Sequence, residues 1–104
     1  MNSVVFNEHL KKMQEITVET LMNKAQEYAT DGDILHNFKV AGAVQGISPI
    51  KALAGMMAKH TVSVYDMIGT GETYPLALWE EKIKDSINYH LLLWALIQED
   101  EESC

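Results

Sequence analysis

The chain has 104 residues, of which 47% are hydrophobic and 22% are charged, a balance that indicates one globular domain rather than a disordered or fibrous chain. Its formal net charge of −7 argues against generic nucleic-acid binding, because contacts with a phosphate backbone need a basic surface. The one cysteine, Cys104, excludes an intrachain disulfide, and with no signal-peptide pattern and no apolar run of membrane length we expect a cytoplasmic protein without a membrane partner.

Four helices are predicted from apolar residues at helical spacing and from prolines and glycines at the expected helix ends. Ser48 before Pro49 is the pattern of an N-cap followed by proline at the first helical position, and Pro75 opens the fourth helix in the same way. No run alternates at period two, so the predicted fold class is all-α. The predicted helices span residues 4–29, 34–45, 49–68 and 75–99.

The fourth predicted helix is amphipathic in its first half and apolar almost all round over residues 89–97. A helix that is apolar on every side must be covered on every side, which three other helices of a small chain do not easily achieve. We therefore predict a homodimer or homotetramer, and the alternative is a central helix wrapped within one chain. Residues 1–98 are expected to form a single helical domain, and the acidic residues 99–104 a disordered tail.

A first polar cluster joins the end of the first helix to the start of the second. Dense acids in a loop that opens a helix either bind a cation or cap the helix, and capping is the expected role of Asp33. The cluster consists of Lys24, Glu27, Tyr28, Asp31, Asp33, Asn37 and Lys39.

A second polar cluster lies on the third helix, where Lys59, His60, Ser63 and Asp66 share one flank. A lysine and a histidine together can hold phosphate oxygens. The alternative for His60 is a hydrogen-bonded core residue, since a buried polar group must find a partner.

A third polar cluster lies on the fourth helix. Glu81, Asp85 and Asn88 are spaced i, i+4 and i+7, which places two carboxylates and an amide in one row. Such a row suits Mg²⁺, a hard cation that takes carboxylate oxygens and keeps waters and substrate phosphates. The alternative is a solvated helix face on which the acids lie near Lys82 and Lys84.

These clusters, in this order, resemble small phage and prophage proteins of the nucleotide-modification-associated type. That group is similar to the MazG-like all-α nucleoside triphosphate pyrophosphohydrolases. The resemblance covers about residues 24–97 and implies a four-helix MazG-like bundle, assembled as a homo-oligomer, with a nucleotide phosphate site between helices. The segments that carry it are residues 24–29, 31–33, 35–39, 59–60 and 81–89.

The sequence departs from the metal-binding pattern of MazG-like enzymes, which hold Mg²⁺ with Glu-x-x-Glu on one helix and Glu-x-x-Asp on a later one. Lys59, His60 and Ser63 stand at the first place, and Lys82 and Asp85 at the second, with only Asp85 matching. Exchange of metal-binding carboxylates for Lys, His and Ser favours direct binding of phosphate over binding of a cation. The alternative is a differently arranged Mg²⁺ site built from Asp31, Asp33, Asp66, Glu81 and Asp85.

The predicted ligand is thus a nucleotide or another phosphorylated small molecule. Lys59, His60 and Lys82 are expected to contact phosphate. Asp85 and Asn88 are expected to orient base, sugar or metal, and Tyr28 or Tyr89 to offer a stacking face. The predicted ligand-binding residues are Lys24, Tyr28, Asn37, Lys59, His60, Ser63, Lys82, Asp85, Asn88 and Tyr89.

Three functions follow as hypotheses. The first is a phage-type protein that binds or sequesters a nucleotide or nucleotide-derived signal, for example as an anti-defence sponge in the host cytoplasm. The second is a Mg²⁺-dependent nucleoside triphosphate pyrophosphohydrolase, with the metal on Glu81 and Asp85. The third is a non-catalytic oligomeric interaction protein whose polar clusters pair with each other.

Overall fold

The computed structural model describes residues 1–28 and 32–102. For Tyr28 it describes the backbone but not the side chain. The predicted all-α class is confirmed, because this part of the chain folds as a small bundle of four helices. None of these helices is both long enough and apolar enough to span a lipid bilayer. The helices are α1 (Ser3–Tyr28), α2 (His36–Gln45), α3 (Pro49–Thr70) and α4 (Leu76–Glu102).

The start of α3 forms as its sequence predicts. The Ser48 side chain accepts a hydrogen bond of 3.1 Å from the Lys51 amide, and Pro49 takes the first helical position, where no amide donor is needed. The helix continues past the predicted end at residue 68 to Thr70, and Gly71 then ends it with a left-handed φ of 68°.

The start of α2 differs from the prediction, because the helix begins at His36 rather than at residue 34. The Asp33 side chain accepts a hydrogen bond of 3.0 Å from the amide of Leu35, two residues on. This Asx turn competes with helical hydrogen bonding, so Asp33 orders a turn before the helix instead of capping it.

Lys39 of α2 ties this turn to the end of α4. Its Nζ lies 2.7 Å from Asp33 Oδ2 and also contacts Glu99. Hydrogen bonds, first from Lys39 and then from the Leu35 amide, hold the pKa of the Asp33 carboxyl below its ordinary value. Hydrogen bonds to Asp33 and then Glu99 raise the pKa of Lys39.

The acidic end of the chain continues α4 as far as Glu102, past the predicted helix end at residue 99. Glu99 belongs to the last turns of this helix and pairs with Lys39, whereas Asp100 and the acids after it are exposed. The predicted disordered tail therefore begins, in the structure, as helix. Ser103 and Cys104 lie outside the described residues.

The helices pack around α4. Lys12 of α1 lies 3.2 Å from Glu80 and Lys24 lies 3.9 Å from Asp85, so α1 runs in the same direction as α4. The short turn after α3 sends α4 back along it, and α2 packs on α3. The core is formed by Leu35, Phe38, Leu53 and Leu96, of which Leu53 is fully buried.

One face of α4 is left uncovered by the rest of the chain. Four large apolar residues, each about one turn from the next, form this exposed stripe, and Trp94 is 60% exposed. The alternative of a central helix wrapped within one chain is therefore not what the chain adopts. We call this surface the α4 stripe; it consists of Ile83, Ile87, Leu91 and Trp94.

Candidate functional site

A small pocket opens between α1 and α4, close to the start of α2. Four of the ten predicted ligand-binding residues, namely Lys24, Asp85, Asn88 and Tyr89, lie in its wall. Its volume is about 50 Å³. We call it the α1–α4 pocket; its lining consists of Leu21, Lys24, Ala25, Ile34, Phe38, Asp85, Asn88, Tyr89 and Leu92.

Helical spacing on α4 explains why the polar residues meet here. Asn88 and Tyr89 follow Asp85 by three and four positions, and Leu92 follows Asn88 by four and Tyr89 by three. All four residues therefore share one helix face. α1 supplies Lys24 to the opposite wall. The pocket therefore places one cation and one carboxylate beside an amide and an aromatic ring.

Asn88 is the most unusual residue of the pocket. It is only 6% exposed, and neither its Oδ1 nor its Nδ2 has a hydrogen-bond partner among residues 1–28 and 32–102. Leaving a buried polar group unsatisfied costs about 1–3 kcal/mol, so an amide in this state in a pocket wall calls for a functional explanation. A ligand that donates to Oδ1 and accepts from Nδ2 would satisfy both atoms.

Asp85 lies between two basic side chains. Its Oδ1 is 3.9 Å from Lys24 Nζ and its Oδ2 is 3.9 Å from His60 Nδ1, and its side chain is 15% exposed. Both distances are ion-pair distances that are too long for hydrogen bonds. The carboxylate therefore keeps lone pairs that a ligand N–H group can approach.

His60 brings α3 to the edge of the pocket. Its ring packs on that of Tyr89, with centroids 4.7 Å apart and planes inclined by 33°. His60 is half-buried, and its contacts are the aromatic ring and the carboxylate of Asp85. This pair of rings forms an aromatic border next to the polar groups, of the kind on which a planar ligand can pack.

The remaining predicted residues are spread over other surfaces. Lys59 is exposed and lines a separate groove with Gln45 and Met56. Asn37 is exposed, whereas Ser63 and Lys82 are half-buried, and none of the three borders the α1–α4 pocket. The Tyr28 side chain lies outside the described part of the structure. Lys59 and His60 are adjacent in the sequence, but their side chains therefore lie on different surfaces of the bundle.

The three residues of the predicted metal row differ in their exposure to solvent. Glu81 is exposed, Asp85 is half-buried and Asn88 is buried, so the row passes from solvent into the interior. Within the described ranges no three His, Cys, Asp or Glu side chains are grouped as metal ligands. Asp85 also lies 3.9 Å from the Lys24 ammonium group, and a cationic neighbour opposes a second cation. The Mg²⁺ site on Glu81 and Asp85 stays a prediction.

A wider groove of about 400 Å³ continues from the pocket toward the end of α4. Leu21, Ala25, Ile34 and Leu92 border both spaces, so the two are neighbours. The groove is lined mostly by apolar side chains. Apolar grooves with a few converging polar groups are typical of small-molecule sites.

Sequence reasoning missed the apolar residues of the pocket wall. Leu21, Ala25 and Phe38 lie at helical spacing, which reads as core packing, and Ile34 was assigned to the second helix. They line a pocket because α1, α2 and α4 meet there beside Ile34, and no local sequence signal encodes that geometry.

No protein-family model, no curated protein and no solved structure matches the chain. The resemblance to the phage nucleotide-modification-associated group therefore stays a prediction. The geometry of the α1–α4 pocket is what bears on function.

Proposed function

We propose that the chain binds a nucleotide or nucleotide-derived molecule in the α1–α4 pocket and holds it without cleaving it. The observation that carries this proposal is the buried Asn88 amide, which lines the pocket with both polar atoms unpartnered in the described structure. A nucleobase edge carries donors and acceptors side by side, so it can satisfy an amide that a purely apolar ligand cannot.

The size of the pocket supports partial burial of such a ligand. One water occupies about 10–15 Å³ in a cavity, so a volume of 50 Å³ holds only about three to five water-sized groups. That space suits the edge of one ring. The sugar and phosphates would then lie at the mouth and along the adjoining groove.

Lys24 supports binding of the phosphate at the mouth. Its side chain is 47% exposed, and its contact with Asp85 is a long ion pair of 3.9 Å. Exposed ion pairs contribute little to stability, so an arriving phosphate can take this ammonium group at low cost. Lys24 therefore takes the role that was predicted for Lys59 and Lys82.

The same electrostatics favour holding a nucleotide over hydrolysing it. Among the described residues the pocket is lined by one carboxylate, that of Asp85, which lies 3.9 Å from both Lys24 Nζ and His60 Nδ1. Metal-assisted hydrolysis needs carboxylates that hold the cation and activate a water molecule. The particular version that we propose is a sponge that traps a nucleotide signal in the host cytoplasm.

The α4 stripe supports self-association as part of this function. Ile83, Ile87, Leu91 and Trp94 present a contiguous apolar surface, and such surfaces mark interaction sites in soluble proteins. Burial of the stripe against a second copy would form the predicted homodimer or homotetramer. Leu91 also borders the groove, so assembly would bring a second chain close to it.

Calorimetry of purified protein with nucleoside mono- and triphosphates, followed by chromatography of the recovered ligand, tests the proposal. A ligand at a hundred times its Kd raises the free energy of unfolding by about 2.7 kcal/mol, so thermal shifts give a second readout. We expect binding, intact ligand, and weaker binding in Lys24→Ala.

Lys59→Ala is the matched control, because Lys59 is also an exposed lysine but lines a different groove. We expect this variant to bind like the wild type. Absence of binding by every nucleotide would refute the proposal, and recovery of cleaved ligand would refute the non-hydrolytic version of it.

A further inference from the structure

On the premise of the nucleotide-binding function, we propose that the α1–α4 pocket selects a guanine-type base, with Asp85 and Asn88 reading its Watson–Crick edge. This edge carries two N–H donors, on N1 and on the 2-amino group, beside the O6 acceptor. The pocket offers the complementary order of groups: carboxylate oxygens on Asp85 and an amide donor on Asn88.

The spacing of the two residues matches one side of a base. Asp85 and Asn88 lie three positions apart on α4, a separation that puts Cβ atoms about 5–6 Å from each other. The carboxylate can therefore accept the two N–H groups. Asn88 Nδ2 is buried in the free chain, so entry of the base edge must widen the pocket for Nδ2 to donate to O6. Both residues border the same narrow space, into which only a ring edge fits.

The hydrogen-bonding groups that Asp85 and Asn88 leave unpaired among the described residues also favour a guanine-type base. Asp85 has two ion-pair neighbours at 3.9 Å but no hydrogen bond at those distances, and the Asn88 amide has no partner within the described ranges. A carboxylate only accepts, so it favours a base with more donors on its edge. Guanine offers two donor groups there and adenine offers one.

The aromatic border supports the same orientation. Tyr89 lies next to Asn88 on α4 and lines the pocket, and its ring packs with that of His60. Stacking on aromatic side chains is tolerant of base identity, so Tyr89 would contribute affinity. Selection among bases then falls to Asp85 and Asn88.

The first test compares guanosine, inosine and adenosine 5′-monophosphates by calorimetry with the full-length protein. Inosine lacks only the 2-amino group, so it removes one of the two proposed contacts to Asp85. We expect inosine monophosphate to bind about tenfold or more weakly than guanosine monophosphate, since the loss of 1.4 kcal/mol corresponds to a factor of ten. Equal affinities, or a preference for adenosine monophosphate, would overturn the proposal.

The second test exchanges the pattern of donors and acceptors. Asp85→Asn replaces a carboxylate oxygen by an N–H donor, and xanthine carries a carbonyl where guanine carries the 2-amino group. We expect this variant to lose guanosine monophosphate about tenfold and to gain xanthosine monophosphate by a similar factor. A gain of binding also shows that the variant is folded.

The two tests separate this inference from the proposed function. Binding of nucleotides without preference for guanine, or an Asp85→Asn variant with unchanged base preference, would overturn base reading and leave nucleotide binding intact. A wild-type protein that binds none of the monophosphates and triphosphates would overturn both.

Discussion

Asn88 lies one helical turn beyond Asp85 on the same face of α4, and the two side chains meet different surroundings. Asp85 faces Lys24 and His60, each at 3.9 Å, whereas the Asn88 amide is buried without a hydrogen-bond partner in the part of the chain that the structure describes. The contacts between acidic and basic side chains in the pocket are thus those of Asp85. Within that part, the polar atoms of the pocket without a hydrogen-bond partner are those of the Asn88 amide, which is more deeply buried, and their cost to stability can be measured.

Replacement of Asn88 by leucine should stabilise the fold and abolish nucleotide binding. The substitution removes an unsatisfied buried amide, worth about 1–3 kcal/mol, and leaves a side chain that suits the apolar residues beside it. Residues kept for function commonly lower stability in this way. Chemical denaturation measures the change in the free energy of unfolding, and calorimetry measures the loss of binding.

Asn37→Leu is the control for this prediction, because Asn37 is an exposed asparagine of α2 outside the pocket. Surface substitutions of this kind change stability by about 0.5 kcal/mol or less, so both readouts should stay near wild type. A destabilised Asn88→Leu variant would show that the amide contributes to the fold.

The contacts of Lys39 with Asp33 and Glu99 should give stability a defined dependence on pH. The Asp33 pKa is lowered below 3.8, so its contribution is present above that value and is lost as pH falls through the lowered pKa. The Lys39 pKa is raised above 10.5, so its contribution is present below 10.5 and is lost as pH rises through the raised pKa.

Lys39→Met should therefore have a lower Tm than wild type between these two limits and approach it at both extremes of pH. Thermal unfolding followed by circular dichroism across the pH range measures this difference. Lys59→Met removes an exposed lysine that makes none of these contacts, and its Tm difference should show no such plateau. A Lys39→Met difference that is independent of pH would contradict the assignment.

The sequence predicted those features of the fold that depend on local chemistry. Ser48 and Pro49 placed the start of α3, and helical spacing on α4 brought Asp85 and Asn88 to one face. The start of α2 was predicted too early because Asp33 forms an Asx turn, a choice between two local hydrogen-bonding patterns that spacing does not decide.

The structure brings together only part of the predicted site, because the grouping depends on packing between helices. Lys59 and His60 are neighbours in sequence, but successive residues of a helix point about 100° apart, so only His60 reaches Asp85 and Tyr89. Conversely, Lys24 reaches the pocket because α1 packs on α4 with Lys24 opposite Asp85. Such distances between helices are set by tertiary packing, which helical periodicity leaves open.

Gly42 should be required for the close approach of α2 to the start of α3. A Cβ atom at this position would lie 2.7 Å from the carbonyl oxygen of Ile47 and 3.0 Å from the carbonyl carbon of Ser48. Gly42→Ala should therefore lower the free energy of unfolding by about 1–3 kcal/mol, because backbone atoms must shift to relieve the overlap. Urea denaturation measures this change.

Gly55→Ala is the matched control on α3, where a Cβ atom would meet no heavy atom of the described residues within 4 Å. Alanine restricts the unfolded chain and suits a helix, so this variant should be more stable by about 0.4–1 kcal/mol. Opposite signs for the two glycines are the expected result. Similar effects at both positions would show that helix propensity, rather than the contact with Ile47, controls the response.

Trp94 should hold subunits together if the α4 stripe is the surface of self-association. Its side chain is 60% exposed in the single chain, and burial of an aromatic side chain in an interface is a common source of binding energy. Trp94→Glu places a charge at the C-terminal end of the α4 stripe, where desolvation of the carboxylate opposes assembly. We expect sedimentation velocity to show a dimer or tetramer for wild type and a monomer for this variant.

Val44→Glu tests whether the position of the charge matters, because Val44 is 81% exposed on α2 and lies outside the α4 stripe. It introduces the same charge on an exposed apolar site, so it should sediment like wild type. Circular dichroism of both variants checks that the helices remain folded. A wild-type monomer at high concentration would remove the stripe from consideration as a self-association surface, whereas a dimer unaffected by Trp94→Glu would place the contact on another face of the bundle.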